Sequence, residues 1–99
     1  MLLKPNIKQL YDNKVTVIVK LNSLNPKTHD KIVGREGAFE RTQQGIRNLL
    51  AEGYCQDPEH QMGLESVVFR DNYADIPNLW RYARSHGMLP YIERTVGCN

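Results

Sequence analysis

The strongest indication of the fold is VTVIV, residues 15–19, a run of β-branched side chains with almost no polar interruption. Such a run is typical of a strand that is buried on both faces, as strands of parallel sheets are. Two more strand-like stretches follow along the chain, LESVVF at 64–69 and MLPYI at 88–92. Pro90 removes one hydrogen-bond donor from the last stretch. We therefore predict three strands, the third of them short.

Three helices are predicted around these strands. They cover residues 4–13, residues 38–52 and the segment from Asp75 to Gly87. The middle helix has the clearest apolar stripe, and Gly53 stands where a C-terminal glycine cap belongs. In the last helix we expect Asp75 to cap the first turn, Pro77 to lie within that turn and Trp80 to pack into the core.

Two segments lack such patterns. Residues 21–37 contain Asn25-Pro26, Gly34 and Gly37, which predict a loop with at most one helical turn. Residues 54–62 are polar and irregular, and we interpret them as a surface insertion. The resulting order α-β-α-β-α-β implies right-handed crossover connections and an α/β fold with a parallel sheet, formed as one domain over residues 1–99.

Composition excludes several functional classes. The 99 residues carry a net charge of only +2 without any basic run, which argues against a nucleic-acid partner. The sequence has neither an apolar stretch of membrane-spanning length nor the pattern of a signal peptide at its N-terminus. Cys55 and Cys98 are too far apart to form a metal-binding pair, and the histidines lack paired spacing, so no metal ligands are predicted. We expect a cytoplasmic protein with two free thiols.

Polar residues follow each predicted strand at once. The three clusters are Lys20, Asn22 and Ser23; Arg70, Asp71 and Asn72; and Glu93, Arg94 and Thr95. Parallel α/β folds bind ligands at the carboxyl ends of their strands, so the clusters predict a polar rim suited to a ligand with a carboxylate and hydroxyls. The alternative is that these residues only begin surface loops, as polar residues commonly do. Lys20 at a strand end also allows a Schiff-base lysine.

Part of the sequence resembles radical S-adenosylmethionine enzymes. Residues 24–34 have the form L-x-P-x-x-H-D-x-x-x-G, and residues 38–46 have the form x-F-x-x-x-x-x-G-I. Both are similar to the family's segment after the fourth strand and to the helix that follows it. The stretch VVFRDN at 67–72, with Ile76-Pro77 and Trp80 after it, is similar to the fifth strand and helix. The resemblance extends from about Lys14 onward.

The resemblance implies a partial (β/α)6, TIM-like barrel of which this chain holds three βα units, roughly the second half. It also implies S-adenosylmethionine and a four-iron four-sulfur cluster as the cofactors of the parent enzyme. The cluster's C-x-x-x-C-x-x-C motif is absent from this sequence, so no metal or catalytic residue is expected here.

The cofactor-binding residues that the resemblance implies are Lys20, Asn22 and Ser23 at the methionine or ribose part, Arg41 near the carboxylate, and Arg70 and Asn72 lining the pocket.

Three functional readings are open from the sequence. The first is a portion of a radical S-adenosylmethionine enzyme that is inactive alone and acts on an unidentified small molecule or peptide. The second is a stand-alone half-barrel binding module that self-associates through its open sheet edges. The third is a portion of a different barrel enzyme that uses Lys20 as a nucleophile.

Overall fold

A computed structural model describes residues 4–94 as alternating helices and strands. The elements are α1 (Lys4–Asp12), β1 (Val17–Lys20), α2 (Pro26–Val33), α3 (Ala38–Glu52), β2 (Met62–Val68), a 3-10 turn (Tyr73–Asp75), α4 (Ile76–Ser85) and β3 (Leu89–Arg94). No helix within residues 4–94 is long and apolar enough to cross a membrane. The predicted α3 is confirmed, and Gly53 closes it by donating its N–H to the carbonyls of Leu49 and Leu50.

The three strands form one parallel sheet in the order β1-β2-β3. Val19 of β1 lies beside Leu64 of β2, and Leu64 lies beside Pro90 of β3. The predicted α/β fold with a parallel sheet is thus confirmed. The sheet is open, with β1 and β3 as its outer strands, so a TIM-like barrel stays a prediction.

Among residues 4–94, helices cover one face of the sheet, and nothing covers the other, which we call the bare face. Val19, Met62 and Leu64 point into the core, where they meet apolar residues of α3 and α4. The two helices are also joined directly, because the Tyr82 hydroxyl donates to Gln43 Oε1 at 3.2 Å. Successive strand residues alternate between faces. The opposite, bare face therefore carries the row Ile18, Gly63 and Leu89, of which Ile18 is 52% exposed.

The segment predicted as a loop over residues 21–37 contains a second helix instead. Asn25 caps α2 by accepting hydrogen bonds from the N–H groups of Lys27 and Thr28, and Pro26 occupies its first turn. Gly34 ends it in the left-handed conformation, with φ 78°. The residues that suggested a loop are therefore the start and stop signals of a short helix.

The predicted surface insertion at 54–62 is partly buried. The Tyr54 ring is inaccessible to solvent, and its hydroxyl donates to the Val15 carbonyl at 2.6 Å. His60 stacks on Tyr11 of α1 at 3.6 Å between ring centroids, and it also bonds the Tyr11 carbonyl and the Asp57 carboxylate. Tyr54 and His60 hold α1 against the domain, while residues 56–59 and 61 are exposed, so the predicted surface insertion is confirmed only for those exposed positions.

Two side-chain roles predicted in α4 differ in the structure. Trp80 is 48% exposed, whereas Leu79 and Ala83 are buried and anchor the helix. The Asp75 carboxylate makes no capping hydrogen bond to the helix and accepts one from Ser23 instead. Pro77 lies in the first turn, as predicted.

Candidate functional site

The chain after β1 is held against β2 rather than forming a free loop. The Leu21 N–H donates to the Glu65 carbonyl at 3.0 Å, and the Ser66 hydroxyl donates to the Leu21 carbonyl at 2.6 Å. Leu21 and Ser23 have no exposed surface. After Lys20, its last residue, β1 therefore continues into a buried strap (residues 21–23) that carries two of the predicted polar residues, Asn22 and Ser23.

Asn22 and Asn72 form the centre of a buried hydrogen-bond network. Asn72 donates from Nδ2 to the carbonyls of Asn22 and Val67, at 2.7 and 2.8 Å, and accepts from the Phe69 N–H at 2.6 Å. Asn22 Oδ1 accepts from the Val67 N–H at 2.9 Å. These bonds join the segments that follow β1 and β2. The Asn22 amide nitrogen takes part in none of the network bonds formed within residues 4–94.

Ser23 is engaged in the same way. Its hydroxyl donates to Asp75 Oδ2 at 2.8 Å and accepts from the Asn25 N–H at 3.0 Å. The bond to Asp75 connects the strap to the start of α4. Ser23 thus holds the backbone at Asn25 in place, and its hydroxyl is already used both as a hydrogen-bond donor and as an acceptor.

His29 and Asp30 are the adjacent histidine and aspartate of the L-x-P-x-x-H-D-x-x-x-G stretch. Each of them forms hydrogen bonds to the backbone of a neighbouring segment. His29 is buried and accepts the Asn22 N–H at Nδ1, at 3.1 Å. Burial lowers the pKa of His29 below its ordinary value, which favours the neutral ring with its proton on Nε2. Asp30 accepts the N–H groups of Gly37 and Phe39 at 2.9 and 2.8 Å, so its carboxylate caps α3. These bonds and a more distant Arg41 charge lower the pKa of Asp30.

A second group of polar side chains lies on the bare face of the sheet. Lys20 Nζ is 3.7 Å from Glu65 Oε1, directly across from it in the register of β1 and β2. Glu93 lies on β3 beside Val67, on the same face as Glu65 and two residues further along. We call Lys20, Glu65 and Glu93 the charged triad.

The two carboxyl groups of the charged triad are coupled. A hydrogen bond with Glu65 raises the pKa of Glu93, the Glu65 charge raises it further, and Lys20 opposes the shift. The charged triad can therefore present an ammonium group beside two carboxyl groups, of which Glu93 holds its proton more tightly than an ordinary glutamate.

The six predicted binding residues do not converge on one point. Asn22, Ser23 and Asn72 meet in the buried network, while Lys20 lies in the charged triad and Arg70 lies exposed in the turn after β2. Arg41 lines a cleft on the helix side of β1 together with Val19. Since Val19 and Lys20 point to opposite faces, the sheet separates Arg41 from the charged triad. Thr95 lies outside the described residues.

Sequence reasoning did not identify Glu65, because it lies inside a predicted strand rather than after it. The sequence pattern that could have identified Glu65 is the alternation of side chains within each strand. This alternation places Lys20 and Glu65 on one face of the sheet once the register of β1 and β2 is known. That register depends on pairing between distant segments and could not be obtained from either strand alone.

The described residues do not fit an iron-sulfur cluster. Within residues 4–94 no group of three or more histidine, cysteine, aspartate or glutamate side chains could hold a metal ion. Cys55 is half-buried and unpaired, and burial raises the pKa of its thiol, which disfavours the thiolate that a metal requires. Cys98 lies outside the described residues. No residue of this chain is therefore assigned to the cluster.

A scan against protein-family models, a search of curated proteins and a search of solved structures each returned no match to this chain.

Proposed function

We propose that the chain is three βα units of a radical S-adenosylmethionine-type partial barrel, and that its bare sheet face binds the α-amino-acid headgroup of S-adenosylmethionine. The observation that carries the proposal is the charged triad. An α-amino acid is a zwitterion, and the charged triad places one ammonium group next to two carboxyl groups.

The layout of the sheet supports this proposal. In a barrel each strand neighbours the next one in sequence, helices cover the outside and the other face points inward. The three strands here have that order, with α3 and α4 on one face only. On the bare face the apolar row of Ile18, Gly63 and Leu89 precedes the charged triad along the strands. The charged groups therefore lie toward the carboxyl ends, where barrel enzymes bind ligands.

The headgroup would be held by complementary charges. Lys20 would pair with its carboxylate, and the carboxylates of Glu65 and Glu93 would accept its ammonium group. The amide nitrogen of Asn22, at the end of the same strand, is a donor for a ribose hydroxyl. The buried Asn22–Asn72 network would then hold the strap, which follows Lys20 and carries Asn22.

Binding can be measured on the intact 99-residue chain by isothermal titration and by saturation-transfer NMR with S-adenosylmethionine. We expect Lys20→Met and Glu65→Gln each to weaken binding by about tenfold, the effect of one charge-assisted contact. Lys31→Met is the matched control, because Lys31 pairs with Asp71 and is a similarly exposed lysine away from the bare face. Equal weakening in the control, or no saturable binding at millimolar ligand to the folded chain, would contradict the proposal.

Self-association is a second candidate function. Both outer strands, β1 and β3, have an edge that no other described strand pairs with. The bare face also exposes Ile18, Leu89 and Tyr91, each by more than 40% of its surface. Unpaired edges beside exposed apolar residues favour pairing with another chain.

Sedimentation velocity tests self-association. A defined dimer that Ile18→Lys dissociates would support a self-assembling module. A monomer at all concentrations would exclude one. Gln9→Lys, at an exposed position of α1, controls for the added positive charge.

A further inference from the structure

A second concave site lies on the helix side of the sheet, beside the outer edge of β1. It is a half-open cleft of about 360 Å³, within the size range of small-molecule sites. Its apolar walls are Val19, Val33, Ala38 and Gly45. Thr42 adds one hydroxyl, and Arg35 and Arg41 complete the lining. We call this site the arginine cleft.

The two arginines give the arginine cleft a positive charge that no salt bridge neutralises within residues 4–94. Neither forms an ion pair with any residue in the described part of the chain. The nearby Asp30 interacts with the Arg41 charge, but its two carboxylate oxygens are occupied by the N–H groups that cap α3. An incoming anion would therefore meet guanidinium groups that no carboxylate already binds.

Arg41 is held in a fixed orientation at the edge of the arginine cleft. Its Nη2 donates to the Glu36 carbonyl at 3.0 Å, and its guanidinium lies over Gly37, where a side-chain carbon would come within 3.4 Å of Nη1. A guanidinium held at one nitrogen keeps its other donors in a planar fork, which is suited to a carboxylate.

We propose that the arginine cleft binds an organic anion with an apolar body, such as a medium-chain carboxylate. The floor runs along α3 from Ala38 to Gly45, about 10 Å at the rise of an α-helix, which matches a chain of roughly eight carbons. The carboxylate would lie between Arg35 and Arg41, and the chain would lie on the small side chains. The site is distinct from the charged triad, because Val19 and Lys20 point to opposite faces of β1.

Octanoate and 1-octanol are a matched pair of probes, equal in length and different in charge. Titrated into the 15N-labelled chain, octanoate should shift the amide signals of Val19, Thr42 and Gly45 in a saturable way, and 1-octanol should bind at least about tenfold more weakly. Equal binding of the two probes, or shifts confined to the bare face around Ile18, would overturn the proposal.

Variants separate charge from shape. Arg41→Gln and Arg35→Gln should each weaken octanoate by about tenfold, and Arg41→Lys should weaken it less, because it keeps the charge and loses the fork. Thr42→Leu should abolish binding with both arginines intact, since it fills the floor. Arg47→Gln is the control, an exposed arginine of α3 bonded to Gln44 outside the arginine cleft. Octanoate affinity unchanged in Arg35→Gln and Arg41→Gln, or equally reduced in Arg47→Gln, would refute the assignment.

Discussion

Among the side chains of the buried network, Asn72 makes the most hydrogen bonds. Its removal tests whether the network stabilises the fold. Asn72 is 1% exposed and makes three hydrogen bonds, to the Phe69 N–H, the Asn22 carbonyl and the Val67 carbonyl. In Asn72→Ala all three backbone groups lose their partner, and a methyl group cannot replace any of the bonds. The variant therefore weakens the connection between the segments that follow β1 and β2, where the bonds made by Asn22 Oδ1 and Ser66 remain.

The magnitude follows from counting these bonds. Each buried group left unsatisfied costs about 1–3 kcal/mol, and partial access of water brings the sum to roughly 3–5 kcal/mol. A domain of this size is stable by about 5–15 kcal/mol, so the loss is a large fraction of the total. At roughly 4–8 °C per kcal/mol, the melting temperature should fall by at least about 12 °C.

Urea denaturation followed by circular dichroism measures the loss directly. Asn78→Ala is the control, because Asn78 is an exposed residue of α4 that accepts one hydrogen bond from Arg81. Asn72→Asp adds a second test: it keeps the acceptor for Phe69 and turns the donor into an acceptor that faces two carbonyls. It should be at least as destabilised as Asn72→Ala at neutral pH. If Asn72→Ala stays within about 1 kcal/mol of Asn78→Ala, the network does not hold the two segments together.

Three further predictions concern single side chains. In urea denaturation, Leu79→Ala should lower the free energy of unfolding by about 2–5 kcal/mol and Trp80→Gln by less than about 1 kcal/mol. The reverse order would mean that Trp80, and not Leu79, faces the sheet. Burial lowers the pKa of His29 below its ordinary value of 6.5. The stabilisation that the neutral His29 ring contributes to the folded state is therefore fully present above pH 6.5, and it is lost as the pH falls through the lower pKa of the folded state. The urea midpoint should therefore drop in mild acid, less so in His29→Gln, and an equal drop in both would refute the assignment. Asp30→Ala should lower the urea midpoint more than Asp12→Ala does, because Asp30 caps α3. Asp12→Ala is the control, since it removes only an exposed ion pair with Lys8 on α1. Equal effects of the two variants would argue against Asp30 as the cap of α3.

The sequence predicted the elements whose signals are local. The helix over residues 38–52 has its apolar stripe and its terminal glycine within one stretch, and both boundaries agree with the structure. The same signals mark α2, where Asn25, Pro26 and Gly34 are cap, first-turn proline and terminal glycine. They were interpreted as loop residues because an eight-residue helix leaves little room for a periodic stripe between them.

The candidate site was predictable only in part. Lys20 and Asn22 were correctly located at the end of the first strand, because strand ends can be identified from where the apolar run stops. Glu65 was missed since its role depends on which residues of β1 and β3 lie beside it. The burial of Trp80 was predicted wrongly because Leu79 and Trp80 are adjacent and both fit the apolar stripe of α4. In the structure Leu79 packs against the sheet and Trp80 is half-exposed.

From the amino-acid sequence alone we could predict the alternation of helices and strands, the parallel α/β class and the position of polar residues after each strand. These follow from side-chain shape and spacing within short windows. The sequence does not show which polar groups are hydrogen-bonded within the fold and which are accessible to a ligand, because this depends on how the elements pack. Asn22 and Asn72 are far apart in the chain, and their bonds form only when β1 and β2 pair in one register. That pairing places Ser23 and Asn72 in the interior and leaves Lys20 on the bare face, because a residue's accessibility is set by what packs against it.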